Sequence, residues 1–218
     1  MLTESTLHGA PSRRLPRHET PARPYVFTDP RPIELMVSSI SLRRNAEIYR
    51  ENDQADHFYQ VISGTVRTCR VLIDGRRQIG DFYLPGDLFG LEIGGCRTFS
   101  AEAVIGAEVT VFKRSETSPH MWALLGHELR RTQDHLLMLV KTALERVAGF
   151  LLKMAERIEF SDEIELSMPR QDIADYLGLT IETVSRSLTQ LENQSAIALP
   201  RSKRIVLRNR AALQRLNA

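Results

Sequence analysis

At 218 residues the chain is long enough to build two compact domains, each with its own core. Hydrophobic residues make up 42% and charged residues 26%, an ordinary globular composition, and no apolar run approaches the roughly 18 residues that span a bilayer, which argues against a transmembrane role. The net charge is only +2, but from Leu166 to the end eight Lys and Arg face four acids, so the basic excess is concentrated at the C-terminus, as phosphate contacts would require.

Residues 1–32 hold six of the ten prolines together with Arg13, Arg14 and Arg17, and show neither a helical nor a strand period. That predicts a flexible Pro/Arg-rich arm. It lacks the contiguous apolar stretch of a secretory signal, so the expected location is the cytoplasm. Over 33–117 short runs of Val, Ile, Phe and Tyr are punctuated by glycines, the pattern of an antiparallel β domain. Asp74-Gly75, set between apolar runs, predicts a hairpin with a type I′ turn. The only cysteines, Cys69 and Cys96, have no CxxC spacing and are too few for an iron-sulfur cluster; reduced, partly buried thiols are expected.

Over 118–141 a helix opening at Pro119 repeats Trp122, Leu125, Leu129, Thr132, Leu136 and Leu139 in alternating steps of three and four. This seam suits a two-stranded coiled coil, although a helix packed only on its own domain would show the same pattern. Thr142 and Glu145 form a capping box that starts a new helix, with Val147, Phe150, Leu151, Met154 and Ile158 on its apolar face. The C-terminal module is thus expected over 142–218. Gln171 to Leu177 predicts a short helix, Gly178 a left-handed stop, and Thr180 the N-cap of a second helix whose Val184, Leu188 and Leu191 face a core. Two helices joined by so tight a turn form a helix-turn-helix. The other face of the second helix carries Glu182, Ser185 and Arg186, which suit base edges: Arg186 could donate to guanine O6 and N7, Glu182 accept from cytosine N4, and Ser185 allow close approach. Taken alone, Glu182 and Arg186 could instead be an ordinary i,i+4 surface pair. The alternation of apolar and basic residues over 197–208, around Pro200-Arg201-Ser202-Lys203, predicts a hairpin wing. Arg170, Thr180, Arg201, Lys203 and Arg204 are the candidates for DNA-backbone contacts.

The run Glu182-Thr183-Val184-Ser185-Arg186 resembles the recognition helix of the cyclic-AMP receptor protein and FNR superfamily, and Leu84 to Gly90, LPGDLFG, resembles the glycine-bearing turn of that family's β-roll. The resemblance covers roughly residues 30–210. It implies an α+β fold: an N-terminal antiparallel β-roll of the cyclic-nucleotide-binding, jelly-roll type, a long dimerisation helix and a C-terminal winged helix-turn-helix. Ser185, where FNR-like members have Ser, and Ile181, where cyclic-AMP-receptor members have a guanine-reading Arg, imply half-sites like TTGAT. The missing cysteine cluster implies the FixK-type branch, which acts in low-oxygen and nitrogen-fixation programmes.

The partners implied are double-stranded DNA with a palindromic promoter site, a second copy of the chain through the 118–141 seam, and RNA polymerase, met by the acidic loop with Glu159, Asp162, Glu163 and Glu165. Nucleotide-binding members carry a Gly-Glu pair and an Arg-Ser pair. Here Gly90 is followed by Leu91, and Arg97-Thr98 reads as a surface hairpin charge, so no nucleotide is expected. The six histidines show no ligand spacing, and no P-loop or nucleophile elbow occurs, so neither a metal, a cofactor nor an enzymatic activity is expected. Two alternatives remain: a ligand- or redox-gated member of the same superfamily, and a β-domain scaffold whose basic C-terminus binds acidic partners without reading DNA.

Overall fold

The computed structural model describes residues 36–92, 94–113, 119–158 and 161–217; the arm at 1–32 and Glu159 lie outside them. Eight strands build the N-terminal part: β1 (Met36–Leu42), β2 (Glu47–Tyr49), β3 (His57–Ser63), β4 (Val66–Val71), β5 (Arg77–Tyr83), β6 (Leu88–Phe89), β7 (Ser100–Ala103) and β8 (Ala107–Lys113). They pair antiparallel in two sheets, β1-β8-β3-β6 and β2-β7-β4-β5. Alternate residues turn inward, and Tyr49, Tyr59, Val61, Val66, Phe89, Val109 and Val111 form the core between the sheets. Tyr59 and Phe89 stack there with ring centroids 5.1 Å apart. This is the jelly-roll-like antiparallel architecture expected.

The β4–β5 hairpin turns at Asp74-Gly75, but not as a type I′ turn. Only Gly75 has a positive φ, at 81°, and the loop is longer because Leu72 and Arg76 close it through an N–H to carbonyl bond of 2.8 Å. The Asp74 carboxylate stabilises this wider loop by accepting from the Arg76 N–H at 3.0 Å and its Nε at 2.7 Å.

Helix α1 (Pro119–Leu139) crosses the β-roll, and α2 (Ala143–Arg157) follows after a short break. The Thr142 N–H donates to the Glu145 carboxylate at 2.8 Å and its hydroxyl accepts from the Glu145 N–H at 3.4 Å, so the capping box forms. Helices α3 (Arg170–Leu177), α4 (Ile181–Asn193) and α5 (Arg210–Asn217) complete the C-terminal module with strands β9 (Glu163–Glu165), β10 (Ile197–Ala198) and β11 (Arg204–Leu207). The wing is a three-stranded sheet, β10-β11-β9, so the expected acidic loop is partly strand: Ile164 is fully buried and Glu163 forms an ion pair with Arg204.

A second core joins α2, α3, α4 and the wing to Cys69, Ile79 and Phe82 of the β-roll. The inward face of α1 is Leu124, Glu128, Arg131, His135 and Met138, a mostly polar stripe whose middle meets the β-roll and whose end, Met138, belongs to the core built by α2. Two of its polar members bond to the β-roll, Glu128 accepting from the Tyr83 hydroxyl at 2.9 Å and Arg131 donating to the Asp81 carboxylate at 2.5 Å, while His135 packs its ring against Tyr176 of α3 with centroids 4.3 Å apart. Burial alone would raise the Asp81 carboxyl, but Arg131, Lys153 and Arg157 outweigh it and hold it below the usual carboxylate range.

Candidate nucleic-acid interface

The turn between α3 and α4 is the local device on which this surface depends. Pro169 lies just ahead of α3 with φ −70°, where a missing N–H costs nothing. Gly178 ends the helix with φ 62° and ψ 40°, the left-handed region, and its N–H returns to the Ala174 carbonyl. A Cβ built there would meet nothing closer than 3.6 Å, so space is not the constraint and backbone conformation is. Gly178→Ala is therefore expected to cost about 1–2 kcal/mol of stability. Urea unfolding measures this directly, with no loss if the turn tolerates a side chain.

Two residues later Thr180 takes extended φ and ψ, and its hydroxyl accepts from the Thr183 N–H at 3.2 Å, starting α4. Val184, Leu188 and Leu191 are then buried. The period of the helix puts Glu182, Ser185 and Arg186 on the opposite, exposed face, within its first two turns. Glu182's own backbone N–H and the Thr180 hydroxyl hold its carboxyl below the usual range, so at neutral pH it is a pure acceptor. The structure thus brings one guanidinium, one carboxylate and one hydroxyl together on a protruding helix face.

The five candidates for backbone contacts are not equivalent. Thr180, Arg201 and Lys203 are exposed at the start of α4 and on the wing turn. Arg170 is half-buried and donates to the Ser202 carbonyl at 3.0 Å, so it braces the wing against α3. Arg204 is exposed, but its guanidinium is shared with Glu163 across the sheet. Among the acidic residues, Asp162 pairs with Arg210 at 3.1 Å, while Glu165 projects from the edge strand.

On α1, Leu129 and Leu136 are 60% and 58% exposed, and Leu137 and Val140 extend the same apolar surface at 64% and 84%. Thr132 is exposed and Leu125 and Leu139 are half-buried; Trp122 lies on the helix, but its side chain is outside the description. Sequence reasoning missed Leu137 and Val140 because they fall outside a strict heptad. Their apolar character at the helix end was the available signal.

The Arg97 expectation is corrected. Arg97 is 2% exposed, its guanidinium carbon lies 4.1 Å from the Tyr49 ring centre, and it donates to the Gly90 and His57 carbonyls. A Cβ on Gly90, whose φ is 74°, would come within 2.9 Å of that guanidinium, which explains the glycine. The carboxylate missing at Leu91 is supplied by Glu92. It accepts from Arg97 at 3.1 Å and from the Thr98 N–H and hydroxyl at 2.7 and 2.9 Å. The groups that could hold a phosphate are thus taken up by the chain's own carboxylate. A cavity of about 390 Å³ lies beside it, lined in part by Tyr49, Gly80, Glu128, Arg131 and His135.

Two family models match the chain: the cyclic nucleotide-binding domain over residues 39–118 and the Crp-like helix-turn-helix domain over residues 145–216. The chain is 50% identical over 191 residues to the nitrogen fixation regulation protein FixK of Azorhizobium caulinodans, covering 80% of this chain and 77% of that one. It is 45% identical over 174 residues to FixK of Rhizobium meliloti, covering 78% and 82%. The solved structure of FixK2 from Bradyrhizobium japonicum superposes with a TM-score of 0.79 at 46% identity, covering 83% of this chain and 97% of that one.

Proposed function

The chain belongs to the Crp/Fnr family of transcription regulators, on its FixK-type branch, and from that premise we propose that it binds, as a homodimer, palindromic promoter sites with TTGAT-like half-sites and activates transcription in a nitrogen-fixation and low-oxygen programme in the cytoplasm. The observation that carries this reading is the exposed trio Glu182, Ser185 and Arg186 at the start of α4, held by a buried apolar face and a glycine turn. Arg186 reads guanine, Glu182 reads cytosine on the opposite strand, and Ser185 lets the helix seat deeply. Thr180, Arg201 and Lys203 set the register on the phosphates, assisted by Arg170 and Arg204. Leu125, Leu129, Thr132, Leu136 and Leu139, with Trp122, pair with the same residues of the second copy. A hydroxyl-radical footprint on a TTGAT/ATCAA palindrome tests this. Two protected patches about 10 bp apart support a dimer reading successive major grooves; one patch, or uniform protection, overturns it.

DNA reading requires no nucleotide, because Glu92 already neutralises Arg97 and saturates Thr98. Nor does it require thiol chemistry. Burial pushes the Cys69 thiol up to about 11, which keeps it protonated and unreactive at neutral pH, whereas Cys96 is exposed but sits in the β-roll, away from α4. Alkylating the folded protein is therefore expected to modify Cys96 alone and leave DNA affinity unchanged; a drop in affinity would favour a redox gate.

The polymerase contact is assigned to the surface before α3, where Asp162, Glu163 and Glu165 are exposed carboxylates and Glu159 completes the sequence run. Reversing Glu165 and Asp162 to Lys is expected to lower transcription from a FixK-type promoter in vitro while DNA binding stays constant. Unchanged transcription disposes of that contact.

A further inference from the structure

Helix α3, which precedes the reading helix, is fastened to the β-roll by ions as well as by packing. Asp172 is 1% exposed and accepts from Arg67 of β4 at 2.5 Å and from Arg77 of β5. One turn on, Asp175 accepts from Arg77 Nε at 2.8 Å. Arg67 is itself 7% exposed and is held from its other side by Glu102 at 2.6 Å. Tyr176 adds a ring contact with Phe82, with centroids 5.4 Å apart.

Planar guanidinium forks fix direction as well as distance, so two of them on neighbouring strands closing on one carboxylate leave α3 little freedom to roll. Because the carboxylate and one guanidinium are out of water, undocking would strand buried charge or require its rehydration, unlike an exposed pair that solvent screens. The docked face is Asp172, Asp175 and Tyr176. The reading face of α4 stays open while it is engaged, which is the arrangement expected of a presenting clamp and not of a blocking one.

We propose that Asp172, clasped by Arg67 and Arg77, is a positioning residue for DNA recognition: it locks the reading head onto the β-roll, so that the two heads of a dimer are presented at one separation with no effector bound. This rests on the dimer-and-palindrome reading above. Binding the second half-site is intramolecular, and its advantage survives only if the geometry matches. A fixed head therefore turns the clasp into selectivity for half-site spacing.

The test uses the full-length protein and its Asp172→Asn, Arg77→Gln and Arg77→Lys variants. They are titrated against the TTGAT/ATCAA palindrome, the same duplex with one base pair added to the spacer, and a single half-site. The insertion shifts the second groove by about 3.4 Å along the axis and turns it. The parent should prefer the unaltered spacing by about tenfold or more, Arg77→Gln and Asp172→Asn should erase most of that preference while half-site affinity stays within about twofold, and Arg77→Lys should retain it in part. Should Asp172→Asn lose half-site binding through misfolding, Arg77→Gln decides, since it leaves Asp172 paired with Arg67. An unchanged spacing preference in Arg77→Gln overturns the clasp, as does tighter palindrome binding, which would make the contact a brake. A parent that binds the half-site no better than scrambled DNA instead overturns the reading on which the clasp rests.

Discussion

Arg186→Ala is expected to weaken binding by about 1–3 kcal/mol at each half-site and to erase the preference for guanine at a single base pair. A palindrome carries two half-sites, so the dimer should lose about twice that. The effect is large because the exposed guanidinium has no ion pair to break among the described residues, Glu182 acting on it only through its nearby charge, while in the groove it would make a bidentate contact in a partly dehydrated setting. Were the residue only half of a surface pair on α4, its removal would cost about 0.2–0.5 kcal/mol of helix stability and leave base preference intact. Titration against duplexes substituted one position at a time separates the two, because a lost phosphate contact lowers affinity for every duplex alike.

Leu129→Glu combined with Leu136→Glu is expected to give a folded monomer that loses the palindrome's advantage, about 10²- to 10⁴-fold in affinity. Both side chains are more than half exposed in the single chain, so little folding energy is at stake there. In a dimer they would be buried at about 1.5–3 kcal/mol each, and each substitution would instead oppose carboxylates across the symmetry axis. Sedimentation of the variant should show a monomer with unaltered helix content. A variant that remains dimeric would place the interface elsewhere on the surface.

The reading helix was legible because its signals are local. Gly178, Thr180 and the spacing of Val184, Leu188 and Leu191 act within a few residues, and each corresponds to a dihedral angle, a cap or a buried position. The hairpin at Asp74-Gly75 was legible in place but not in type, since the bonds that the Asp74 carboxylate accepts from Arg76, which favour the wider loop, leave no mark in an apolar pattern. On α1 the apolar seam was visible, yet the side that docks on the β-roll does so through the polar pair Glu128 and Arg131. Apolar periodicity misses that face because Asp81 and Tyr83, which satisfy it, are about 50 residues away. Arg97 was misread for the same reason: its burial depends on Glu92, Gly90 and the His57 carbonyl, and a charged residue beside a loop looks exposed until those partners are in place. The clasp on Asp172 is the extreme case, with partners 105 and 95 residues distant.

Sequence reading by α4 without an effector is open to equilibrium competition for the purified, reduced protein between a TTGAT/ATCAA palindrome and a scrambled duplex at one fixed salt concentration, with no nucleotide present. Salt is held constant because phosphate contacts alone can mimic affinity. The palindrome is expected to win by about 10³-fold or more, the lower range of specific over non-specific binding. Equal competition by the two duplexes would contradict it.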